Sequence, residues 1–456
     1  MQNYDFIFIY EHKVRELENI CLMKYELDRR GYKTKIMYLY DADNAMIPSP
    51  IYHTKVLCTM ACYDDHTLYS HAREFIKFDK VIDLQWENIV YTKDEERVDA
   101  YKNYRGIGKD VVHLSWGQQN VNRLLNAAHL DPKKVKLTGH VGMDFLRFPL
   151  NRYYTSRQKL FEKYGLPEDK KVILFASPYY GDGLSEAYIK DMCMRFGNDW
   201  PDYYAFMCES QKIVLNWFER ACRENPDIIL IYRLHPGHPS AMASEIEKRC
   251  ENFRIISGES VKQWIVACDR IYTGNSSVVV EAYFAQKMCQ LLFPIPITPG
   301  FELKMIADSK KITTYEDFVR SLSVTDEEFP TPKEDIEEVY LIDWNKPNYV
   351  KFADMAEDVL KDDYYRLSKA RIQSYKKSFS RGGAVNVVTR IKPLYMLYRS
   401  MVDNESIKWK PIVDQRKLRD ENIRNLRQFE KDNAHELTND EEIYSIIERI
   451  KNAIEG

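Results

Sequence analysis

Glycine and proline are scarce in this 456-residue chain, at 17 and 18, which excludes a collagen-like repeat and argues against low-complexity linkers. No apolar run approaches the roughly 20 residues that a spanning helix needs. The opening stretch Tyr4–Tyr10 is short and carries Asp5, so it reads as a strand and not as the apolar centre of a signal peptide. A large net charge is also missing. Lys+Arg 66 against Asp+Glu 69 gives a formal charge of −3, which speaks against bulk capture of nucleic acid. Cysteine is present but not in pairs. The nine are scattered and odd in number, and Cys58 and Cys62, the two close together, form a C-x3-C without a second ligand pair, a poor zinc site. Buried free thiols in a reducing cytoplasm are expected.

What is there is a globular balance, 45% hydrophobic and 30% charged, in a length that usually divides into two or three domains. Phe6–Tyr10 reads as a strand. Val14–Arg30 follows with Val14, Leu17, Ile20, Cys21 and Leu27 at a helical period and stops near Gly31. Lys35–Tyr40 is a second strand, and the alternation continues through Thr54–Thr59, Lys80–Leu84, Val111–Leu114 and Val135–Thr138. After a charged, Tyr-rich stretch, Asn151–Lys170, a new series begins with Lys171–Ser177 and runs through Ile228–Tyr232, Phe253–Ile256, Arg270–Thr273 and Cys289–Phe293. Strands alternating with helices predict parallel, doubly wound sheets. The expected architecture is α/β: two Rossmann-like domains facing a cleft, with a C-terminal helical extension. The expected divisions are 1–160 and 165–375, helices of 376–410 crossing back to the first domain, and a charged helical tail of 411–456. In that tail Thr438 and Glu441 form a capping-box pattern. Ile443, Ile446, Ile447, Ile450 and Ile454 then share one face that can dock on the domains or pair with a second copy.

In open parallel sheets ligands sit beyond the carboxyl ends of the strands, and four motifs fall at such places. Arg233-Leu-His-Pro236 leaves the strand Ile228–Tyr232 with a cation and an imidazole aimed as a phosphate would require. In Tyr272–Ala282 a strand ends, Gly274 permits a turn, and Asn275, Ser276 and Ser277 open a helix whose free N–H groups suit phosphate. Glu281 follows about 6–7.5 Å further along the axis, the reach to a ribose hydroxyl. Ala176–Gly183, including Ser177, is a loop of small residues that lets a ligand approach the backbone. Glu11-His-Lys-Val-Arg-Glu-Leu-Glu18 crowds ionisable groups at the end of the first strand, where Glu11, His12 or Glu16 could serve as a general base.

The order of Val111–Gly117, Leu137–Arg147, Lys170–Tyr179, the Arg-Leu-His-Pro stretch, the Gly-Asn-Ser-Ser stretch and Gly382–Ile391 resembles bacterial surface-carbohydrate biosynthesis proteins related to the CDP-glycerol glycerophosphotransferases. Those are teichoic-acid polymerases of the GT-B fold. The resemblance covers roughly residues 1 to 392. It implies a nucleotide-activated donor in the C-terminal domain, with Arg233 and His235 on phosphate, Ser276 and Ser277 binding it from the helix start, and Glu281 on the ribose. Where the polymerases carry a catalytic His after Trp, this chain reads Trp116-Gly117, which leaves Glu11, His12 and Glu16 as the candidate catalytic set. Gly-Asn-Ser-Ser followed by Glu-Ala looks more like the hydrolysing UDP-N-acetylglucosamine 2-epimerases.

The reading is therefore a transferase that moves a sugar or polyol phosphate from a nucleotide-activated donor to a cell-surface glycan or lipid-linked glycan, with no cofactor and no metal. Asp64-Asp65-His66 reads as a loop, and no Asp-x-Asp stands at a strand end. The rivals are an NDP-sugar 2-epimerase and a non-catalytic nucleotide-binding assembly protein. A cytoplasmic location at the inner face of the membrane is expected, with peripheral contact offered by Arg390–Arg399, no nucleic-acid partner, and a homodimer through the C-terminal helix as a further option.

Overall fold

A computed structural model of the chain describes residues 1–39, 51–72, 76–96, 104–180, 184–235, 239–324, 328–377 and 434–456. Pro236, Gly181–Gly183, Gly382–Ile391, Arg390–Arg399 and most of the predicted 376–410 crossing and charged tail lie outside them.

Two six-stranded sheets, all of whose neighbouring strands pair in parallel, carry the fold. The first comprises β1 (Gln2–Tyr10), β2 (Thr34–Tyr38), β3 (Tyr52–Thr59), β4 (Ile76–Asp83), β5 (Val112–Ser115) and β6 (Val135–Leu137), in the order β2-β1-β3-β4-β5-β6. The second comprises β7 (Lys171–Ala176), β8 (Ile228–Arg233), β9 (Phe253–Ile255), β10 (Arg270–Thr273), β11 (Cys289–Leu292) and β12 (Lys311–Ile312), in the order β12-β11-β10-β7-β8-β9. The α/β class and the two GT-B-type halves read from the sequence are what the structure has. Each sheet reverses its winding once, between β1 and β3 and between β7 and β10, and those reversals open crevices at the carboxyl edge.

The central strands form because they are apolar on both faces. Phe6–Tyr10 and Val172–Phe175 are all at most 1% exposed, as a sheet covered by helices on both sides demands. The helix α1 (Lys13–Arg29) buries Leu17, Ile20, Cys21 and Leu27 against the first sheet. Helix α2 (Val261–Ala267) and helix α3 (Val278–Phe284) cover the second, their Trp264, Ile265, Val279 and Val280 fully buried.

The return to the first half comes earlier than the predicted 376. Helix α4 (Asn348–Lys361) already packs Phe352, Ala353, Ala356 and Val359 into the first core. The Lys80 ammonium, buried on β4, secures it by donating to the carbonyls of Val359, Leu360 and Asp362 at 2.8, 2.7 and 2.9 Å, a cation where the helix's last carbonyls are unpaired. Reciprocal bonds between Thr155 and the Gln263 amide tie the chain at its first crossing. Tyr91, from the first half, bridges to Leu303 and packs its ring on Phe196, Tyr203 and Phe301 of the second.

Helix α5 (Asp440–Glu455) is capped by Asn439, whose Oδ1 accepts from the Glu442 N–H at 2.8 Å, one residue beyond the predicted Thr438 cap. Its isoleucine face packs within the chain, on the first core beside α1, with Ile450 fully buried and Ile443, Ile446, Ile447 and Ile454 around it. Among the described residues no helix is long and apolar enough to cross a membrane.

Candidate functional site

The end of β1 and the start of α1 are closely bonded. Glu16 is fully buried; its Oε2 accepts from the Glu11 N–H at 2.8 Å, and its Oε1 accepts from Arg15 Nε and Nη2 at 3.2 and 2.8 Å. Both carboxylate oxygens are therefore spent on closing the strand-to-helix turn. His12 occupies the N-cap position without a side-chain cap bond and stays half exposed, with Nε2 at 3.9 Å from Glu11 and Nδ1 at 3.7 Å from Glu436. Glu436 also accepts from the Lys13 N–H at 2.5 Å, so a carboxylate sits on the positive end of α1.

At the reversal between β7 and β10 the predicted residues divide into those that build and those that face outward. Ser177 lies within 3.1 Å of the Tyr232 hydroxyl and accepts from the Tyr179 N–H. Asn275 donates to the Tyr203 hydroxyl and the Phe301 carbonyl, and accepts from the Leu303 N–H, so its amide staples three segments together. Ser276 Oγ accepts from the Val278 N–H at 3.3 Å. Ser277 stands at the N-cap of α3 and makes no cap bond.

Arg233 ends β8 with its guanidinium on the carbonyls of Ser257, Gly258 and Glu259 at 3.4, 3.0 and 2.6 Å. It holds the loop before α2 in place and, among the described residues, has no carboxylate at ion-pair distance. Glu281, on α3, makes no hydrogen bond or ion pair among the described residues. Burial raises its carboxyl pKa above the ordinary range, against the opposing pull of Lys262 and Arg233. The His235 ring lies 5.0 Å from that of Tyr180.

Between the halves lies a cleft of about 900 Å³. Arg233, His235, Ser257 and Ser260 line one side, and Lys13, Leu17, Glu18 and Tyr153 the other. Helix α5 adds Glu442, Ser445, Ile446 and Arg449. Arg449 donates to the Tyr153 carbonyl at 2.9 Å and lies over the Tyr153 ring at 4.0 Å, while Lys13 pairs with Glu442 at 2.7 Å. Of the predicted set, Arg233 and His235 line this cleft. Glu11, His12, Glu16, Ser177, Asn275, Ser276, Ser277 and Glu281 do not.

The chain therefore has a Rossmann-order sheet whose carboxyl edge carries Arg233 and His235 into an interdomain cleft, and its overall fold is shared with solved structures. The wall teichoic acid polymerase TagF matches over 78% of this chain and 88% of its own, at 15% identity and a TM-score of 0.50. The fold is GT-B. A Listeria monocytogenes protein assigned as a UDP-N-acetylglucosamine 2-epimerase matches at 12% identity over 81% of this chain and 99% of its own, with a TM-score of 0.44. The UDP-bound MnaA of S. aureus matches at 12% over 80% and 90%, with a TM-score of 0.39. No protein-family model and no curated protein matches the chain.

Sequence reasoning missed the helix-borne wall residues of the GT-B cleft, Tyr153 and Arg449, as well as Lys262 and His140 beside its seam. Nothing in spacing marks Tyr153, Lys262 or Arg449; His140 stands within the quoted Leu137–Arg147 stretch. Asp65 opens a helix, Asp65–Ala72, and does not lie in a loop. Among the described residues no group of three His, Cys, Asp or Glu is placed to hold a metal ion.

Proposed function

We propose that this GT-B chain is a transferase that moves a sugar or polyol phosphate from a nucleotide-activated donor to a cell-surface glycan or lipid-linked glycan. The observation that carries the reading is the exit of Arg233 and His235 from β8 into the cleft, with Glu281 electrostatically coupled to Arg233. A cation with no carboxylate at ion-pair distance among the described residues, beside an imidazole, suits a phosphate, and a carboxylate within the same field suits the ribose hydroxyls.

In the reaction the acceptor oxygen forms its bond to the transferred group as the bond from that group to the nucleotide phosphate breaks. The electron pair stays on the departing phosphate, where Arg233 and His235 stabilise it. The acceptor proton passes to a base from the loop after β1. His12 is the accessible member of the predicted set, Glu11 stands beside it, and Glu16 holds the turn that orients both. No cofactor or metal enters these steps.

The engagement of Glu16 by Arg15 and the Glu11 N–H, with Glu436 over His12, favours a second reading, a nucleotide-binding assembly protein without catalysis. Titration calorimetry with CMP, CDP, UDP and GDP, followed by donor turnover with an acceptor glycan, separates them. Binding of one nucleotide with turnover that falls at least tenfold in His12→Ala supports the transferase. Binding with no turnover supports the assembly protein, and binding of no nucleotide removes both.

A further inference from the structure

Lys262 reaches from α2 in the second half toward the first. Its Nζ, the Asn19 Oδ1 of α1 and the His140 Cε1 of the loop after β6 lie 2.9, 2.7 and 2.6 Å from the point that a Cβ on Gly142 would occupy. Gly142 leaves room for three polar side chains from two halves to converge on one spot in the seam. Their bonding is incomplete. Asn19 Oδ1 and His140 Nδ1 are buried without a hydrogen-bond partner, as is Trp86 Nε1, whose ring lies 6.1 Å from that of His140. Among the described residues no carboxylate lies at ion-pair distance from the Lys262 ammonium. Burial, with Lys262 and Arg15 nearby, lowers the His140 pKa to about 3, so the imidazole is neutral and able to accept or donate one bond.

The charges nearby do not cancel. Lys262 and Arg233 both act on the carboxylate of Glu281. Glu259, which also acts on Arg233, is already paired with Lys163 at 2.5 Å, and Arg15 is paired with Glu16 and Glu87. A partly buried site with one positive charge in excess and unmet hydrogen-bonding groups calls for an anion. We propose that Lys262, with His140 as hydrogen-bond partner, binds the phosphoryl group of the donor that lies farther from the nucleoside. This rests on the transferase reading for its ligand and adds the residues that distinguish a diphosphate from a monophosphate. The two halves then each touch the same phosphoryl group, so a diphosphate draws them together.

The test compares wild type with Lys262→Met, Lys262→Arg and His140→Asn by titration with the matching nucleoside mono- and diphosphate, and with inorganic pyrophosphate. In Lys262→Met the diphosphate Kd rises about tenfold or more while the monophosphate Kd stays within about twofold, Lys262→Arg recovers most of the loss, and pyrophosphate binding weakens in parallel. His140→Asn shows a smaller loss of the same selectivity. Unchanged melting temperatures of the unliganded variants exclude a folding effect. An unaltered ratio of diphosphate to monophosphate affinity in Lys262→Met overturns the assignment while leaving nucleotide binding intact. If wild type binds no nucleotide the transferase reading fails, and the pyrophosphate arm alone decides whether Lys262 holds an anion.

Discussion

The two halves share an architecture and differ in how their carboxyl edges are finished. In the first, the polar groups around Asp83 and Glu16 are consumed by one another, while Asn19, Trp86 and His140 beside the seam keep buried atoms without a partner. Asp83 and His113, both fully buried, meet at 2.9 Å, His113 Nε2 bonds the Gly108 carbonyl at 2.7 Å, and Glu16 closes its turn with both oxygens. In the second, among the described residues, Arg233 bonds only carbonyls, Glu281 makes no side-chain hydrogen bond and Ser277 makes no cap bond. Satisfied polar groups hold a fold together, whereas unsatisfied ones facing a crevice are what a ligand completes. The difference predicts that substitutions in the bonded clusters around Asp83 and Glu16 cost stability, and that those at the unsatisfied groups of the second half cost binding.

The largest effect is expected from Asp83→Ala, which strands His113 in the core. It should lower stability by about 3–5 kcal/mol in urea melts while nucleotide affinity measured on the remaining folded protein holds. Loss of binding without loss of stability would reverse the comparison. Arg233→Ala should act in both senses. It frees the 257–259 loop at about 1–2 kcal/mol, and weakens nucleotide binding by about 2–3 kcal/mol, read by calorimetry.

A pH series sharpens the contrast further, since two buried histidines of the first half are shifted. Burial lowers His71 to about 4 and His140 to about 3, so the unfolded chain binds protons below pH 6.5 that the folded chain refuses. Stability is then complete above that value and falls as pH drops from about 6.5 toward 4. Asp144, raised to about 6 by burial, takes up a proton on the folded side between about 4 and 6 and offsets one of the two. Glu281, also raised by burial, offsets more, so the net slope stays below about 1.4 kcal/mol per pH unit in that window. His71→Asn should flatten it, and urea midpoints at pH 7, 6 and 5 show whether it does. The smallest effect is expected at two caps. Ser260→Ala removes the bond that Ser260 Oγ accepts from the Gln263 N–H at 3.2 Å and should cost about 1 kcal/mol. Ser277→Ala, where no cap bond exists, should cost less than about 0.5 kcal/mol of stability and lower nucleotide affinity instead.

Eleven of the twelve strands were legible because each is a short apolar run bounded by turn residues, the pattern that a doubly covered parallel strand must have. β12 escaped because two residues, Lys311 and Ile312, carry no periodicity. The return of the chain at Asn348 was read too late, since an amphipathic helix shows that it has an apolar face and not which core receives it. Arg233 and His235 could be found because they follow a buried strand directly. Lys262, Tyr153 and Arg449 could not, because helices bring them to the seam and the cleft through tertiary packing alone. Asn275 and Ser177 have the composition of ligand contacts and are instead bonded into the frame, a distinction that only neighbours across the sheet can make.

The docking of Asp440–Glu455 has a consequence in time. Synthesis runs from the amino end, so both sheets can assemble while these residues have still to emerge from the ribosome. Until they do, the surface of α1 that receives Ile450 is wet and apolar, and the wall holding Arg449 and Glu442 does not yet exist. The cleft thus acquires its full outline last, and a nascent chain stalled before residue 434 would display two finished sheets with an unfinished gap between them.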